Sequence, residues 1–444
     1  MRTARRRKTA QVLAIVLWIQ PAIGAAQQPA APAATQSVTL DEALRRAQRV
    51  QPAVVQAQGA LEDAGAARRA AFGAYLPSVT ASGSGATLYS GQPVLDRTTG
   101  LVLPGGSTTQ TLSFGLNASV DVFTGFRRGA NSAAARAETA AAESGLVNAR
   151  YQQRLTTTSA FLDALAAGQL VRVREASVRR AEEQLKVSAA KLRVGSATRA
   201  DSLQSLVALG TARADLLTAQ SGLAAAEAAL ARQVGADGRV AAVDDSSLYR
   251  MADSLDAGAL ARAAADSAPQ VQSSTALAAA SRAALRSAKG NYWPTVSLSA
   301  GANFNASSRS DYDLINQRQL ALQLSWPIFN RFEREQTIVQ QESQVDLAEA
   351  QAQDARRAVQ SVVIAEAAAL DAARQRIDIA QTSVAAGTEA LRVQQDRYRA
   401  GVATIVDVLT AQETLTQAEV DVVSARFDYL RAKAQIEGVL GRHL

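Results

Sequence analysis

The sequence predicts a mixed α and membrane β protein written as two tandem copies of one unit, each a strand hairpin followed by a long helical hairpin. Three observations predict it. First, segments return at fixed offsets. Residues 71–79 (AFGAYLPSV) reappear in outline at 288–296 (AKGNYWPTV), 217 positions later, and Phe123-Thr124-Gly125-Phe126 reappears 206 positions later as Phe329-Asn330-Arg331-Phe332. Second, a seven-residue apolar stripe runs through a long stretch of each copy. Third, between Pro77 and Phe123, and again between Pro294 and Phe329, the period switches to two over runs about ten residues long, the length of a tilted membrane strand.

In chain order, Arg2, Arg5, Arg6, Arg7 and Lys8 precede an apolar run from Val12 to Ile19, with small residues from Ala22 to Ala26. This is the layout of a secretory signal peptide, residues 1–26, cleaved after Ala25 or Ala26; the run is too short to span a bilayer. Residues 27–36, with Pro29 and Pro32, are expected as a disordered leader. The signal peptide also accounts for the charge. The formal net charge is +7, but its five basic residues have no acidic partners, so the mature chain carries +2. A nucleic-acid surface is therefore not expected.

The first unit is placed at 37–234, with strands at about 77–123 and a helical hairpin at about 128–234. Leu112, Phe114, Leu116, Ala118, Val120 and Val122 alternate with Thr111, Ser113, Gly115, Asn117, Ser119 and Asp121. The stripe of the outgoing helix is Ala164, Val171, Val178, Leu185 and Leu192; after Gly195 it restarts as Leu209, Leu216, Leu223 and Leu230. The polar stretch 235–256, including Asp244-Asp245, reads as a solvated linker. The second unit is placed at 257–444, with strands at about 294–329 and a helical hairpin at about 331–441. Here Leu320, Leu322, Leu324 and Trp326 alternate with Ala321, Gln323 and Ser325. Val363, Leu370, Ile377, Val384, Leu391 and Tyr398 form the stripe, which restarts after Gly401 as Val408, Leu415, Val422, Tyr429 and Ile436. Ala373, Ala380 and Gly387 beside it permit close helix approach. The offset changes by 11 between Pro77 and Phe123, and a loop at 91–106 absorbs the difference.

Composition narrows the function. The chain has no cysteine, two methionines and one histidine, His443, one residue from the C-terminus. Disulfide frameworks, Cys/His metal sites and histidine-dependent hydrolases are excluded, and no phosphate loop or cofactor motif occurs. No enzyme and no cofactor are expected. The 97 alanines suit long helices packed side by side. Alternation alone also fits a soluble sheet half buried on helices. The export signal and the aromatics at the strand ends (Tyr75, Phe123, Phe126, Tyr292, Trp293, Trp326, Phe329, Phe332) favour the membrane. Four strands cannot close a barrel in lipid, so several chains must share one.

The ordered set of these segments resembles the TolC family of outer-membrane efflux proteins. The resemblance covers Val38 to Gly441 and is closest from Tyr398 onward, in the run YRAGVATIVDVL (398–409); Ser37 to Pro52, Tyr75-Leu76-Pro77 and Trp326-Pro327-Ile328-Phe329 are similar to other segments of that family. It implies a homotrimer whose four strands per chain make a 12-stranded barrel in outer-membrane lipid, continued by a periplasmic α-helical barrel, with 235–256 in an equatorial region. It further implies an exit duct for a tripartite efflux pump or type I secretion system, working with a periplasmic adaptor and an inner-membrane transporter. A periplasmic adaptor or a coiled-coil scaffold is the rival reading; neither needs the duplication together with the strands.

By the same resemblance the periplasmic gate falls on Asp407, Thr410 and Asp201. Asp407 stands at an acidic position of the family, whereas Thr410 and Ala403 replace an acid and an arginine, which thins the expected closing network. Thr404-x-x-Asp407 and Thr198-x-x-Asp201 independently read as helix-capping pairs. Adaptor docking is implied at the hairpin turns, Val194, Gly195, Ser196, Ala400, Gly401 and Val402. Gly195 and Gly401 most simply end the outgoing helices.

Overall fold

The computed structural model describes residues 36–95, 100–103, 105–245, 249, 256–308 and 311–442. The expected signal peptide, the leader as far as residue 35, parts of the 91–106 loop and of the 235–256 stretch, and His443 lie outside the described residues.

Local sequence sets the helix ends. Strand β1 (Gln36–Val38) leads to α1 (Leu40–Val50), whose N-cap Thr39 accepts from the Glu42 amide, and Pro52 opens α2 (Pro52–Gly73). The first hairpin strands are β2 (Ser78–Ser90) and β5 (Ser107–Phe123), with a short pair between them, β3 (Val94–Leu95) and β4 (Val102–Leu103). Helix α3 (Arg127–Arg193) runs out for 67 residues, about 100 Å at 1.5 Å per residue, and α4 (Arg199–Val234) returns. After β6 (Val240–Ala242) the pattern repeats: α5 (Ala257–Ser267) capped by Asp256, α6 (Pro269–Lys289) opened by Pro269, a 3-10 turn at Gly290–Tyr292, β7 (Thr295–Ser307) and β8 (Ile315–Ser325). Helices α7 (Glu333–Arg399) and α8 (Ile405–Leu440) have 67 and 36 residues, the same lengths as α3 and α4. Duplication reaches into strained detail. Both long helices start after a left-handed phenylalanine, Phe126 and Phe332 at φ +65°. Each ring is held edge to face by the phenylalanine three residues earlier, Phe123 at the end of β5 (5.3 Å) and Phe329 beyond the end of β8 (5.5 Å).

The four long strands form one antiparallel sheet in the order β2-β5-β7-β8. Directly paired residues share a face. One face carries Val79, Leu112, Phe114, Leu116, Leu298, Phe304, Leu320, Leu322 and Leu324, many of them exposed, while the other carries Ser82, Ser84, Ser113, Asn117, Asn303, Gln317 and Gln323. An apolar outer row over a hydroxyl and amide row is what a lipid-facing wall with a wet interior requires. Among the described residues no helix is long and apolar enough to cross a membrane.

Helix packing follows the stripe. Val363, Leu370, Ile377, Leu391 and Tyr398 of α7 are buried, as are Val408, Leu415, Tyr429 and Ile436 of α8, and Gly387 lies where an added Cβ would sit 3.4 Å from Leu415 Cα. Toward the tips α3 is flanked by α4 and α8, and α8 lies between α3 and α7; toward the sheet α3 is flanked by α2 and α6, and α6 lies against α7. The elements α3, α6 and α8 are thus covered on both sides, and α2, α4 and α7 form the lateral edges. The largest core, with Phe161, Leu230, Val271, Val363, Phe427 and Ile436, sits where both sets meet.

Two expectations are corrected. Gln36, assigned to a disordered leader, pairs in β1 with Val240 of β6, parallel, and Val38 and Val240 are buried. The stretch 235–256 is therefore not only solvated linker. Its Asp244 accepts a hydrogen bond from Tyr249 Oη (2.8 Å), and Gln169 of α3 donates to the same phenol oxygen (3.0 Å). Burial, aided by Asp244, pushes the Tyr249 phenol up to about 12. Three-residue strands show no periodicity, and their pairing spans some two hundred residues, so a local pattern could not announce them.

Candidate functional site

The hairpin tips gather the residues that the sequence singled out. Each outgoing helix ends in a Schellman turn: the Gly195 amide donates to Leu192 O and the Ser196 amide to Lys191 O, and in the second copy Gly401 donates to Tyr398 O and Val402 to Arg397 O. Gly195 and Gly401 adopt φ +72° and +82°, and an added Cβ would meet nothing within 4 Å at either, so conformation alone requires glycine. The turn exposes apolar side chains at its apex, Val194 and Val402, which are 77% and 66% accessible. Ala400 closes α7 one residue before its glycine.

The return helices begin with complete capping boxes. The Asp201 amide donates to Thr198 Oγ1 (3.2 Å) while the Thr198 amide donates to Asp201 Oδ2 (3.2 Å). At the second tip the Thr404 amide and hydroxyl both donate to Asp407 Oδ2 (2.8 Å each), and the Asp407 amide donates to Thr404 Oγ1 (3.3 Å). These bonds from Thr404, with Arg397 nearby, hold the Asp407 carboxyl below its usual range. Asp407 and Asp201 are therefore both anchored, side chain and backbone, at the first turn of their helices. Thr410, one turn further along α8, lines a cleft of about 450 Å³ between α3, α4 and α8 together with Gln204, Asp215 and Glu413. Arg174 pairs with Asp215 there at 3.0 Å.

One group at the tips lay outside the sequence-based expectations. Lys191, in the last turn of α3, donates to the carbonyls of Tyr398 and Arg399 at the end of α7 and lies 4.5 Å over the Tyr398 ring. It places a cation on a helix C-terminus, tying one hairpin to the other. Tyr398 is 4% exposed, and among the described residues its hydroxyl has no hydrogen-bond partner. Burial, with the charge of Asp201 adding, pushes that phenol up. The signal for Lys191 was only a basic residue near a helix end, which many solvated lysines share.

Farther up, Arg180 of α3 forms a partly buried pair with Glu419 of α8 (2.8 Å) and donates to Thr416 (3.0 Å). Among the described residues no group of three or more His, Cys, Asp or Glu could hold a metal ion.

Comparison with known proteins gives consistent relatives. A family model described as outer membrane efflux protein matches residues 39–236 and 260–442, one stretch per copy. The outer membrane efflux protein BepC of Brucella suis biovar 1 (strain 1330) is 26% identical over 338 residues, 76% of this chain and 73% of that protein. The outer membrane protein VceC from Vibrio cholerae superposes with a TM-score of 0.77 at 18% identity, covering 91% of this chain and 96% of that one. The Campylobacter jejuni CmeC outer membrane channel gives 0.77 at 17%, covering 90% and 85%.

Proposed function

This chain belongs to the outer membrane efflux protein family, and from that premise we propose that three copies close one 12-stranded barrel and act as the exit duct of a tripartite efflux pump or type I secretion system. It is an outer-membrane channel protein with a periplasmic extension, not an enzyme. The observation that carries the trimer is the sheet. Four strands of membrane length end in two unpaired edges, β2 and β8, beneath an apolar face, and an open edge in lipid leaves its backbone groups without partners. Three such sheets remove every edge. The helical rods then continue the wall as a duct across the periplasm.

The duct does no chemistry of its own, and the driving energy comes from an inner-membrane transporter reached through a periplasmic adaptor. Exposed Val194 and Val402 at the turns, with Gly195, Ser196, Ala400 and Gly401 shaping them, form the apolar knobs that suit an adaptor tip. At the entrance three copies of Asp407, ionised through the Thr404 bonds, make an acidic ring; Asp201 and Thr410 complete the gate. An adaptor or scaffold function would leave the lipid face of the sheet without a use.

Mass measurement in mild detergent and planar-bilayer conductance test the reading. Trimers that form discrete channels are expected, and a monomer without conductance would reject it. In the same bilayers Asp407→Asn is expected to lower cation over anion preference; unchanged selectivity would remove the ring and leave the duct.

A further inference from the structure

At the periplasmic end of the sheet the two repeats share a tyrosine–arginine pair but surround it differently. In the second repeat the Arg334 guanidinium lies 4.0 Å over the Tyr292 ring. In the first, Arg128 lies 4.9 Å over the ring of Tyr75, each the counterpart of its partner under the offsets 206 and 217. Around Tyr292 a carboxylate completes the group: Glu335 pairs with Arg334 at 3.3 Å and accepts a hydrogen bond from Tyr292 Oη at 3.1 Å. In the first repeat the residue in its place is Gly129. The acid is gone while the cation and the phenol remain. Among the described residues the Arg128 guanidinium donates only to the neutral carbonyls of Ala74 (3.3 Å) and Val122 (2.9 Å), and the Tyr75 hydroxyl has no hydrogen-bond partner.

The change leaves room as well as charge. Beside Arg128 a cleft of about 540 Å³ opens between Tyr75, the start of α3 and α6. Gly129, Ala130 and Ala133 form its helical wall, where the second repeat carries the longer Glu335, Gln336 and Val339. Phe123 and Phe126 make the apolar side. Phe123 reaches it through an irregularity: the β5–β7 register shifts between Asp121 and Phe123, so that Phe123 pairs with Val296 and joins the apolar face of the sheet instead of the polar one. Arg286 of α6 adds a second cation, and among the described residues it has no ion pair. Asp121 lines a neighbouring cleft with Arg127 and Arg128 and, among the described residues, forms no ion pair with either.

We infer that this cleft binds the head group of an anionic glycerophospholipid of the periplasmic leaflet, its phosphate taking the place that the Glu335 carboxylate holds in the second repeat. The site needs only the outer-membrane location and none of the assignments of gate, adaptor or cargo.

Charge and position select this occupant. Two arginines without a carboxylate call for an anion, and a guanidinium meets two phosphate oxygens at once in its planar fork. The Tyr75 hydroxyl supplies a further donor, as Tyr292 does to Glu335. A soluble anion would satisfy the arginines but leave the exposed Phe126 ring in water, whereas an acyl chain attached to the phosphate covers it. The cleft also lies where the apolar face of the sheet gives way to helices, the level at which aromatic rings and basic side chains meet lipid head groups. The second repeat, with its own acid in place, needs no such ligand.

Gly129→Glu gives the first repeat the carboxylate of the second, and an added Cβ at Gly129 would meet nothing within 4 Å, so the fold accommodates it. Native mass spectrometry of the purified full chain in detergent, titrated with phosphatidylglycerol or phosphatidylethanolamine, counts the lipid retained. The unaltered protein is expected to hold one phosphatidylglycerol per chain in preference to phosphatidylethanolamine. Gly129→Glu and Arg286→Gln should each weaken that retention about tenfold at an unchanged thermal midpoint. Arg69→Gln, at the counterpart of Arg286 on α2, should leave it unchanged. Equal retention of the two lipids by the unaltered protein, undiminished retention of phosphatidylglycerol in Gly129→Glu, or an equal loss in Arg69→Gln and Arg286→Gln overturns the site.

Discussion

Glycine and threonine set the shape of the tips one residue at a time. Gly401 has room for a side chain but a left-handed backbone, so Gly401→Ala is expected to cost about 1 kcal/mol through φ alone, with Gly401→Asn milder. Reversible thermal unfolding of the two variants against each other checks that order, and equal losses would point to lost space instead. Thr198→Ala removes one member of a capping box and should cost about 1 kcal/mol, seen as faster amide exchange in the first turn of α4 with the barrel unaffected. Asp407 adds a pH signature. Its folded pKa lies below its unfolded value, so its stabilisation is present above the unfolded pKa and is lost as pH falls through the folded one. Amide protection at the start of α8 should therefore be lost as pH falls through that lowered carboxyl pKa, and Thr404→Val should move the loss to higher pH. Tip chemistry was half legible in the sequence. Capping pairs and turn glycines act within four residues and leave a local pattern, whereas the Lys191 contact with α7 joins residues some two hundred apart and leaves none.

At the scale of elements, a stripe every seven residues was readable because each supercoiled helix must keep one face against its partner for its whole length. The partner it chose was not. On α7 burial keeps to the face of the stripe and the small residues beside it, while α3, with an equivalent stripe, is buried on further faces because α6 and α8 cover it as well. Identical patterns thus sit in different surroundings, which only the packing reveals. Phe427 marks the point where the two helical layers meet: it is fully buried in the largest core. Phe427→Ala is expected to destabilise the protein by about 3–5 kcal/mol, read as a lowered thermal unfolding midpoint. Gly387→Val should likewise loosen the α7–α8 contact, because its Cβ would already touch the Leu415 backbone at 3.4 Å and the added methyl groups have nowhere to go. An unchanged melting profile would show that the pair has slack.

For the whole molecule the strand faces, the duplication and the rods were legible because each is a period longer than its noise. The short β1–β6 pairing was not, although it joins the start of the first unit to the connection with the second and so closes each chain on itself. Where the two repeats meet, Gly125 and Gly290 approach backbone to backbone. Gly290→Ala is therefore expected to be far more disruptive than Gly73→Ala, whose added Cβ would meet nothing within 4 Å. Yield of folded protein from cells measures that comparison.

The equal lengths of α3 and α7, and of α4 and α8, impose a machining tolerance on the gene. Losing a single residue from one rod would turn everything beyond it by about 100° and retract it by about 1.5 Å, so the stripe would point away from its neighbour. A loss of seven from both arms of one hairpin would restore the facing but leave its tip about 10 Å short of the other, replacing a level rim by a crenellated one. Insertions and deletions in this protein should accordingly be confined to the strand connections, where the two copies already differ by eleven residues.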